Sequence, residues 1–226
     1  TAFIATFCHK LTHGEVPHID NDSEVKLIYV GELVQEIIIQ FERSETKELY
    51  EVPHTSVNKV SEVLEKLSNY KKLYFDNGEI PELTSSFDLN LFNTFRCYFD
   101  IKEHYPVKFT QHIDPRGAFV EVIRLGIGGQ CSFSTTVPEI TRGNHFHTRK
   151  IERFAVIKGK ALIQLRKIDT DEVLDFYLDG SEPAYVDMPI WYTHNIKNIG
   201  EEELFTIFWI NEPFNPEDAD TYFLNV

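Results

Sequence analysis

The chain has 226 residues, 42% of them hydrophobic and 26% charged, with a formal net charge of −14. That length is enough for one large or two modest domains with real cores. The acidic balance argues against nucleic acid or an anionic membrane as partner, and no apolar run reaches the roughly 18 residues of a membrane-spanning helix.

In chain order, residues 1 to 13 carry Ile4, Phe7, Cys8 and Leu11 at helical spacing, with Gly14 as the stop. This start lacks the basic n-region of a signal peptide. Met188 is the sole methionine, so the chain is expected to be a piece of something longer. His9 and His13 lie four apart with no carboxylate placed to complete a ligand set, and they read as surface histidines. Glu24–Val30 alternates as a strand. Gly31–Phe41 predicts a helix burying Leu33, Val34, Ile37, Ile38 and Phe41. Ser56 is a candidate cap for a second helix with Val57, Val60, Val63, Leu64 and Leu67 on one face. Phe87–Phe99 predicts a third, aromatic-rich helix. This α-rich half contains no Gly-x-Gly-x-x-Gly turn and hence no visible phosphate cradle.

From about residue 106 the texture changes. Lys108–His112, Ala118–Leu125, Cys131–Val137, Glu152–Ile157, Ala161–Ile168, Val173–Leu178, Ala184–Met188, His194–Asn198 and Leu204–Ile210 are short alternating segments between turn signals. Such spacing predicts an antiparallel sandwich or barrel. Asp169-Thr170-Asp171 and Asp179-Gly180 are hairpin signals. The acidic runs Glu201-Glu202-Glu203 and Glu217-Asp218-Ala219-Asp220 read as solvated loops. Cys8, Cys97 and Cys131 are few, scattered and odd in number, which fits reduced thiols and a cytoplasmic location.

The stretch with chemistry in it is Gly143-Asn144-His145-Phe146-His147-Thr148-Arg149-Lys150-Ile151-Glu152, closed by Gly159 and answered by Pro189, His194 and Asn198. Two histidines at i and i+2 of a strand share a face. Glu152 and His194 can complete three imidazoles and a carboxylate around a divalent ion. Such donors suit zinc, iron, nickel or manganese, with positions left open for substrate or water. The bland alternative is a set of ordinary polar residues in a β-rich core. It weakens with each matched position.

These spacings resemble both motifs of the cupin superfamily, with Trp191 where cupins usually carry glycine. Asp114-Pro115-Arg116-Gly117-Ala118-Phe119-Val120-Glu121 and Arg142-Gly143-Asn144-His145 narrow the resemblance to the nucleotide-sugar cupins, the 3,5-epimerases and their ketoisomerase relatives. The resemblance implies that Arg116, Phe119, Glu121 and Arg142 line a sugar-nucleotide site. A guanidinium fork suits the phosphate oxygens. Residues 1 to about 95, through Phe3-Ile4-Ala5-Thr6-Phe7-Cys8 and Leu27-Ile28-Tyr29-Val30-Gly31-Glu32-Leu33-Val34, are similar to the substrate-binding part of an extended short-chain dehydrogenase/reductase (SDR). With Tyr192-Thr193-His194-Asn195-Ile196, Phe208-Trp209-Ile210-Asn211-Glu212 and Asp220-Thr221-Tyr222-Phe223-Leu224, the whole chain resembles the CapF-type bifunctional capsular polysaccharide enzymes.

What this implies is an α+β chain in two parts. Residues 1–102 would be the α-rich remnant of an SDR substrate domain, and 106–226 an all-β cupin (double-stranded β-helix) barrel. The cupin would invert C3 of a UDP-linked 4-keto sugar, and NADPH would serve only a reductase half lacking from this sequence. The expected ligands are His145, His147, Glu152 and His194, with zinc as the ion. In the 3,5-epimerases the base is the histidine of Arg-Gly-x-His, which maps onto His145, but one nitrogen cannot serve both roles. Tyr192 and Lys150 are therefore the acid and base candidates, and a metal-free site with His145 as base is the competing mechanism. The expected partners are a UDP-sugar and a second copy of the chain, in a homodimer formed through the cupin. A non-catalytic binding or dimerisation module, a sugar-nucleotide 3,4-ketoisomerase and an iron dioxygenase are the alternatives. Arg116 and Arg142 argue against the last.

Overall fold

The structure, a computed structural model, describes residues 2–42, 49–114, 117–120, 122, 123, 125, 128–212 and 215–226, with backbone alone at 2, 42, 111–114 and 117–120. The chain divides into two compact units, Thr1–Asn77 with Leu83–Tyr98, and Gly78–Glu82 with Phe99–Val226.

In the first unit, α1 (Ala2–Thr12) ends at Gly14, whose φ of 74° suits a residue without Cβ. The strand β1 (Glu24–Leu27) pairs antiparallel with β2 (Ser56–Lys59), and between them runs α2 (Val30–Glu42). Ser56 therefore opens a strand and not a helix. The helix α3 (Val60–Tyr70) starts four residues later, where the Glu62 carboxylate accepts the Lys59 N–H at 2.8 Å. Strand pairing took the Ser56–Lys59 segment because Leu27 and its neighbours offered a ladder that local spacing could not reveal. A π-turn (Lys71–Phe75) extends α3, and α4 (Ser86–Arg96) is capped by the Ser85 hydroxyl, which accepts the Asp88 N–H at 3.1 Å. Val63, Leu67, Tyr70, Tyr74, Phe92 and Phe95 form the buried centre. At roughly 1.5–3 kcal/mol per fully buried large apolar side chain, this set supplies much of the unit's hydrophobic stabilisation. The expected inner face of α2 is different: Val34, Ile37, Ile38 and Phe41 are exposed. Periodicity identifies an apolar face but not what covers it.

The second unit starts with a single-turn helix, α5 (Ile101–His104), capped by Asp100. Among the described residues, twelve strands follow. They are β3 (Val107–Lys108), β4 (Gln111–Asp114), β5 (Gly117–Val120), β6 (Gln130–Thr136), β7 (Thr141–Phe146), β8 (Glu152–Lys158), β9 (Lys160–Lys167), β10 (Val173–Asp179), β11 (Ala184–Met188), β12 (Tyr192–Asn198), β13 (Leu204–Ile210) and β14 (Tyr222–Phe223). One five-stranded sheet has the order β10-β9-β12-β7-β14 and the other β3-β11-β8-β13-β6; β4 and β5 form a separate hairpin. Successive strands from β6 to β13 cross between the sheets, except that β9 and β10 form a hairpin within one. This is the double-stranded β-helix. The Asp169 signal marks that β9–β10 hairpin, with Asp169 at φ 59°. Asp179-Gly180 marks no hairpin: β10 and β11 lie in different sheets, and the turn carries the chain across.

Alternating residues of both sheets, including Ile163, Leu165, Phe176, Val186, Met188 and Ile196, fill the interior. No helix among the described residues is long and apolar enough to cross a membrane. All three cysteines are free; Cys8 is buried, Cys97 and Cys131 exposed. Burial, and secondarily Cys97, pushes the Cys8 thiol up to about 12. A thiol raised in the folded state adds stability below its unfolded pKa of about 8.5 and loses it as pH climbs toward the folded value. A thiol reagent at pH 8 is therefore expected to titrate two sulfhydryls in the native protein and the third only after denaturant is added.

Candidate metal centre

Four side chains from three strand regions of the second unit converge. His145 lies near the end of β7 and His147 just beyond it. Glu152 opens β8, and His194 lies on β12 opposite His145. One ligand atom from each lies within 4.8 Å of all the others. His147 Nε2 stands 3.0 Å and His194 Nε2 3.2 Å from Glu152 Oε2. Neither contact has hydrogen-bond geometry: all three atoms are buried without a hydrogen-bond partner. Buried polar atoms left so are costly unless something takes up their lone pairs. Three imidazole nitrogens and one carboxylate oxygen aimed at a common point fit a divalent ion of the zinc, iron or manganese type.

The other ring nitrogens fix the tautomers. His147 Nδ1 lies against the Asp220 carbonyl and His194 Nδ1 lies 3.3 Å from the Tyr192 carbonyl. A carbonyl only accepts, so in the neutral rings Nδ1 carries the proton and Nε2 presents its lone pair. Burial, reinforced by His194, pushes His145 down to about 4, so its imidazole is neutral near pH 7. Burial would also lower His147, but the adjacent Glu152 carboxylate outweighs it and raises that ring. Burial works to raise Glu152, yet His147 and His194 hold it well below the ordinary carboxylate range.

The local sequence explains why β7 delivers this geometry. Gly143 and Asn144 have φ of 101° and 62°, and the pairing with β12 slips there. His145 faces His194, Gly143 faces Asn195 and Arg142 faces Ile196. Asn144 is the extra residue of a β-bulge. Positions 142 and 145 would lie on opposite faces of a regular strand. The bulge brings Arg142 onto the histidine side, where its guanidinium donates to Thr136 Oγ1 and to the Thr135 carbonyl, both at 3.0 Å. A Cβ at Gly143 would stand 2.8 Å from the His194 carbonyl oxygen. The Asn198 side chain ties the end of β12 to the turn that follows: its amide donates to Thr136 O and Glu202 O and accepts from Gly200 N. Trp191, in the place of the usual glycine, adopts φ of 64°. Glycine takes this conformation freely, and for a bulky side chain it is an outlier. The Trp191 N–H donates to the His147 carbonyl at 2.8 Å.

Of the acid and base candidates, Tyr192 lies two residues before His194 and so on the same face of β12. Lys150 is 2% exposed, and its ammonium donates to the Ala219 carbonyl at 2.6 Å. Among the four residues expected to line a sugar-nucleotide site, Arg116 and Glu121 lie outside the described residues. The side chain of Phe119, on β5, does too. His9 and His13 are exposed, with ring centroids 4.0 Å apart.

Sequence reasoning missed Asp220. The acidic run at 217–220 looked like solvated loop, yet Asp220 is buried and accepts from the N–H groups of Thr148, Arg149 and Lys150. These bonds, with that of the Thr148 hydroxyl, overcome burial and hold its carboxyl below the usual range. Asp218 in the same run pairs with Arg149 at 2.9 Å. Only the neighbouring Asp-Thr-Tyr-Phe-Leu resemblance signalled a structured segment. A separate cavity of about 690 Å³ lies in the first unit. Its Glu32 already accepts from Tyr29 N and Thr55 Oγ1.

Residues 112–222 match the family described as Polysaccharide biosynthesis C-terminal domain. The chain is 31% identical over 228 residues to UDP-2-acetamido-2,6-beta-L-arabino-hexul-4-ose reductase of Pseudomonas aeruginosa, covering 99% of this chain and 60% of that protein. It is 35% identical to the crystal structure of the capsular polysaccharide assembling protein CapF from Staphylococcus aureus, with a TM-score of 0.48, covering 100% of this chain and 66% of that one. Spore coat polysaccharide biosynthesis protein SpsL of Bacillus subtilis is 26% identical over 123 residues, half of this chain and 82% of that protein. The chain thus spans about three-fifths of the length of the Pseudomonas relative it matches.

Proposed function

We propose that the second unit is a sugar-nucleotide 3-epimerase that inverts C3 of a UDP-linked 4-keto-6-deoxy-hexosamine. The observation that carries this reading is the convergence of His145, His147, Glu152 and His194, with Arg142 on the same face. The relative named for a UDP-linked hexul-4-ose supplies the substrate class, a sugar with a ketone beside the inverted carbon. On this proposal the first unit is the remnant of an extended SDR substrate domain. NADPH-dependent reduction at C4 is not assigned to these 226 residues, whose sequence carries no Gly-x-Gly-x-x-Gly turn.

A proton at C3 is acidified by the C4 ketone because its loss gives an enolate. A base removes it from one face and an acid returns one to the other. His145, His147, Glu152 and His194 would hold a divalent ion, which would supply positive charge toward the oxygen on which negative charge develops. Arg142 holds diphosphate or sugar oxygens. In this scheme Tyr192, on the His194 face of β12, exchanges the proton. Lys150, tied to the Ala219 carbonyl, acts in this scheme on the C-terminal segment.

The test is solvent exchange. Incubated in deuterium oxide with a UDP-4-keto-6-deoxy-HexNAc, the protein is expected to incorporate deuterium at C3, read by NMR. A chain that binds the sugar nucleotide without exchange would be a binding or dimerisation module instead. Movement of the ketone to C3 would identify a 3,4-ketoisomerase.

A further inference from the structure

Of the C-terminal segment, Asp220 contacts His147 and the turn that follows it. Its carbonyl receives His147 Nδ1. Its carboxylate gathers the turn after His147, accepting from Thr148 N at 3.1 Å, Thr148 Oγ1 at 2.6 Å, and Arg149 N and Lys150 N at 3.0 Å each. Around it, β14 pairs with β7 (Phe223 opposite His145), and Leu224 N donates to the Asn144 carbonyl at 3.0 Å. His147 is held both at its ring and by the backbone beyond it, and one residue makes both contacts, the first through its carbonyl and the second through its carboxylate.

We propose that Asp220 is a positioning residue for the metal centre: its carboxylate, anchored on the 148–150 backbone, keeps its own carbonyl against His147 Nδ1, which fixes the tautomer and aim of Nε2. This inference rests on the metal reading above. It differs in predicting that a residue making no metal contact controls affinity. Outer-shell partners of ligand histidines typically influence affinity 10–100-fold. Substitution at 220 leaves the carbonyl chemically intact and removes only its anchor, so any loss must come through displacement. Asp220 sits at φ of 41°, a conformation that asparagine tolerates better than alanine. Asp220→Asn is therefore the conservative partner of Asp220→Ala.

The experiment measures Zn²⁺ and Co²⁺ affinity of the purified chain by competition with a chromogenic chelator, and records the visible Co²⁺ spectrum. Asp220→Ala is expected to weaken both ions about 10–100-fold and to shift the Co²⁺ bands; Asp220→Asn should fall between it and the parent. Asp187→Asn, which loosens the same unit through an ion pair on β8 and β11, is the control for general destabilisation and should leave the bands unmoved. The proposal is overturned if Asp220→Ala binds as tightly as the parent with an unchanged spectrum, or if Asp187→Asn weakens binding equally. Failure of the parent chain to bind either ion would overturn the metal reading itself, a different outcome.

Discussion

Glu152→Gln is expected to lower zinc affinity by more than 100-fold and to slow C3 deuterium exchange in parallel. The ligand contributes the only negative charge among the four convergent donors, and its removal must exceed the roughly 10–100-fold attached to outer-shell partners. Glutamine keeps the volume, so packing against Met188 and Ile210, its neighbours across the two ladders, is unchanged. The thermal consequence follows from linkage. An ion present at about 1,000 times its Kd contributes roughly 4 kcal/mol, so the variant with added zinc should melt roughly 10 °C below the zinc-loaded parent. The two mechanisms part here. If His145, neutral near pH 7 because burial pushes it down to about 4, is a free base in a metal-free site, Glu152→Gln will keep most of its exchange activity, and chelation of the parent will do nothing.

The second large effect is structural. Arg153 and Asp187 are 3% and 0% exposed and joined by two bonds of 2.8 and 3.0 Å. The guanidinium also donates to the Gly78 carbonyl and lies 3.8 Å from the Tyr185 ring centroid. Removing one partner of such a pair strands a charge in low dielectric and typically costs about 3–5 kcal/mol, whereas an apolar pair of similar volume is often neutral. Asp187→Ala should therefore destabilise the second unit by that amount. The double variant Arg153→Met with Asp187→Leu should cost less than Asp187→Ala alone. Urea unfolding followed by tryptophan fluorescence isolates the transition, because Trp191 and Trp209, the two tryptophans of the chain, both lie in that unit.

Local rules predicted what local physics decides. Ala184–Met188 and Leu204–Ile210 were legible to the residue because alternation and turn residues bound them on both sides. The convergence of His145, His147, Glu152 and His194 was legible because strand parity and the Gly and Pro punctuation constrain one another. Three things were not. Ser56 looked like a helix cap until a partner strand thirty residues upstream claimed its backbone. Asp179-Gly180 carries turn chemistry, but such chemistry does not say whether the chain stays in its sheet. Asp220 was hidden inside a run of acids, since the difference between a solvated carboxylate and one cradled by three amides lies in a loop seventy residues away.

The surplus residue in β7 has a consequence for how substitutions and gaps in this region should be weighed. Deleting Asn144 would not shorten a loop. It would leave a regular ladder in which His145 still faces His194 and Arg142, now two residues before the histidine, stays on the same face. A one-residue gap at this point in an aligned sequence thus changes neither the cluster nor the side of the sheet on which Arg142 sits, whereas a one-residue insertion taken up as regular strand would turn that cation to the opposite face.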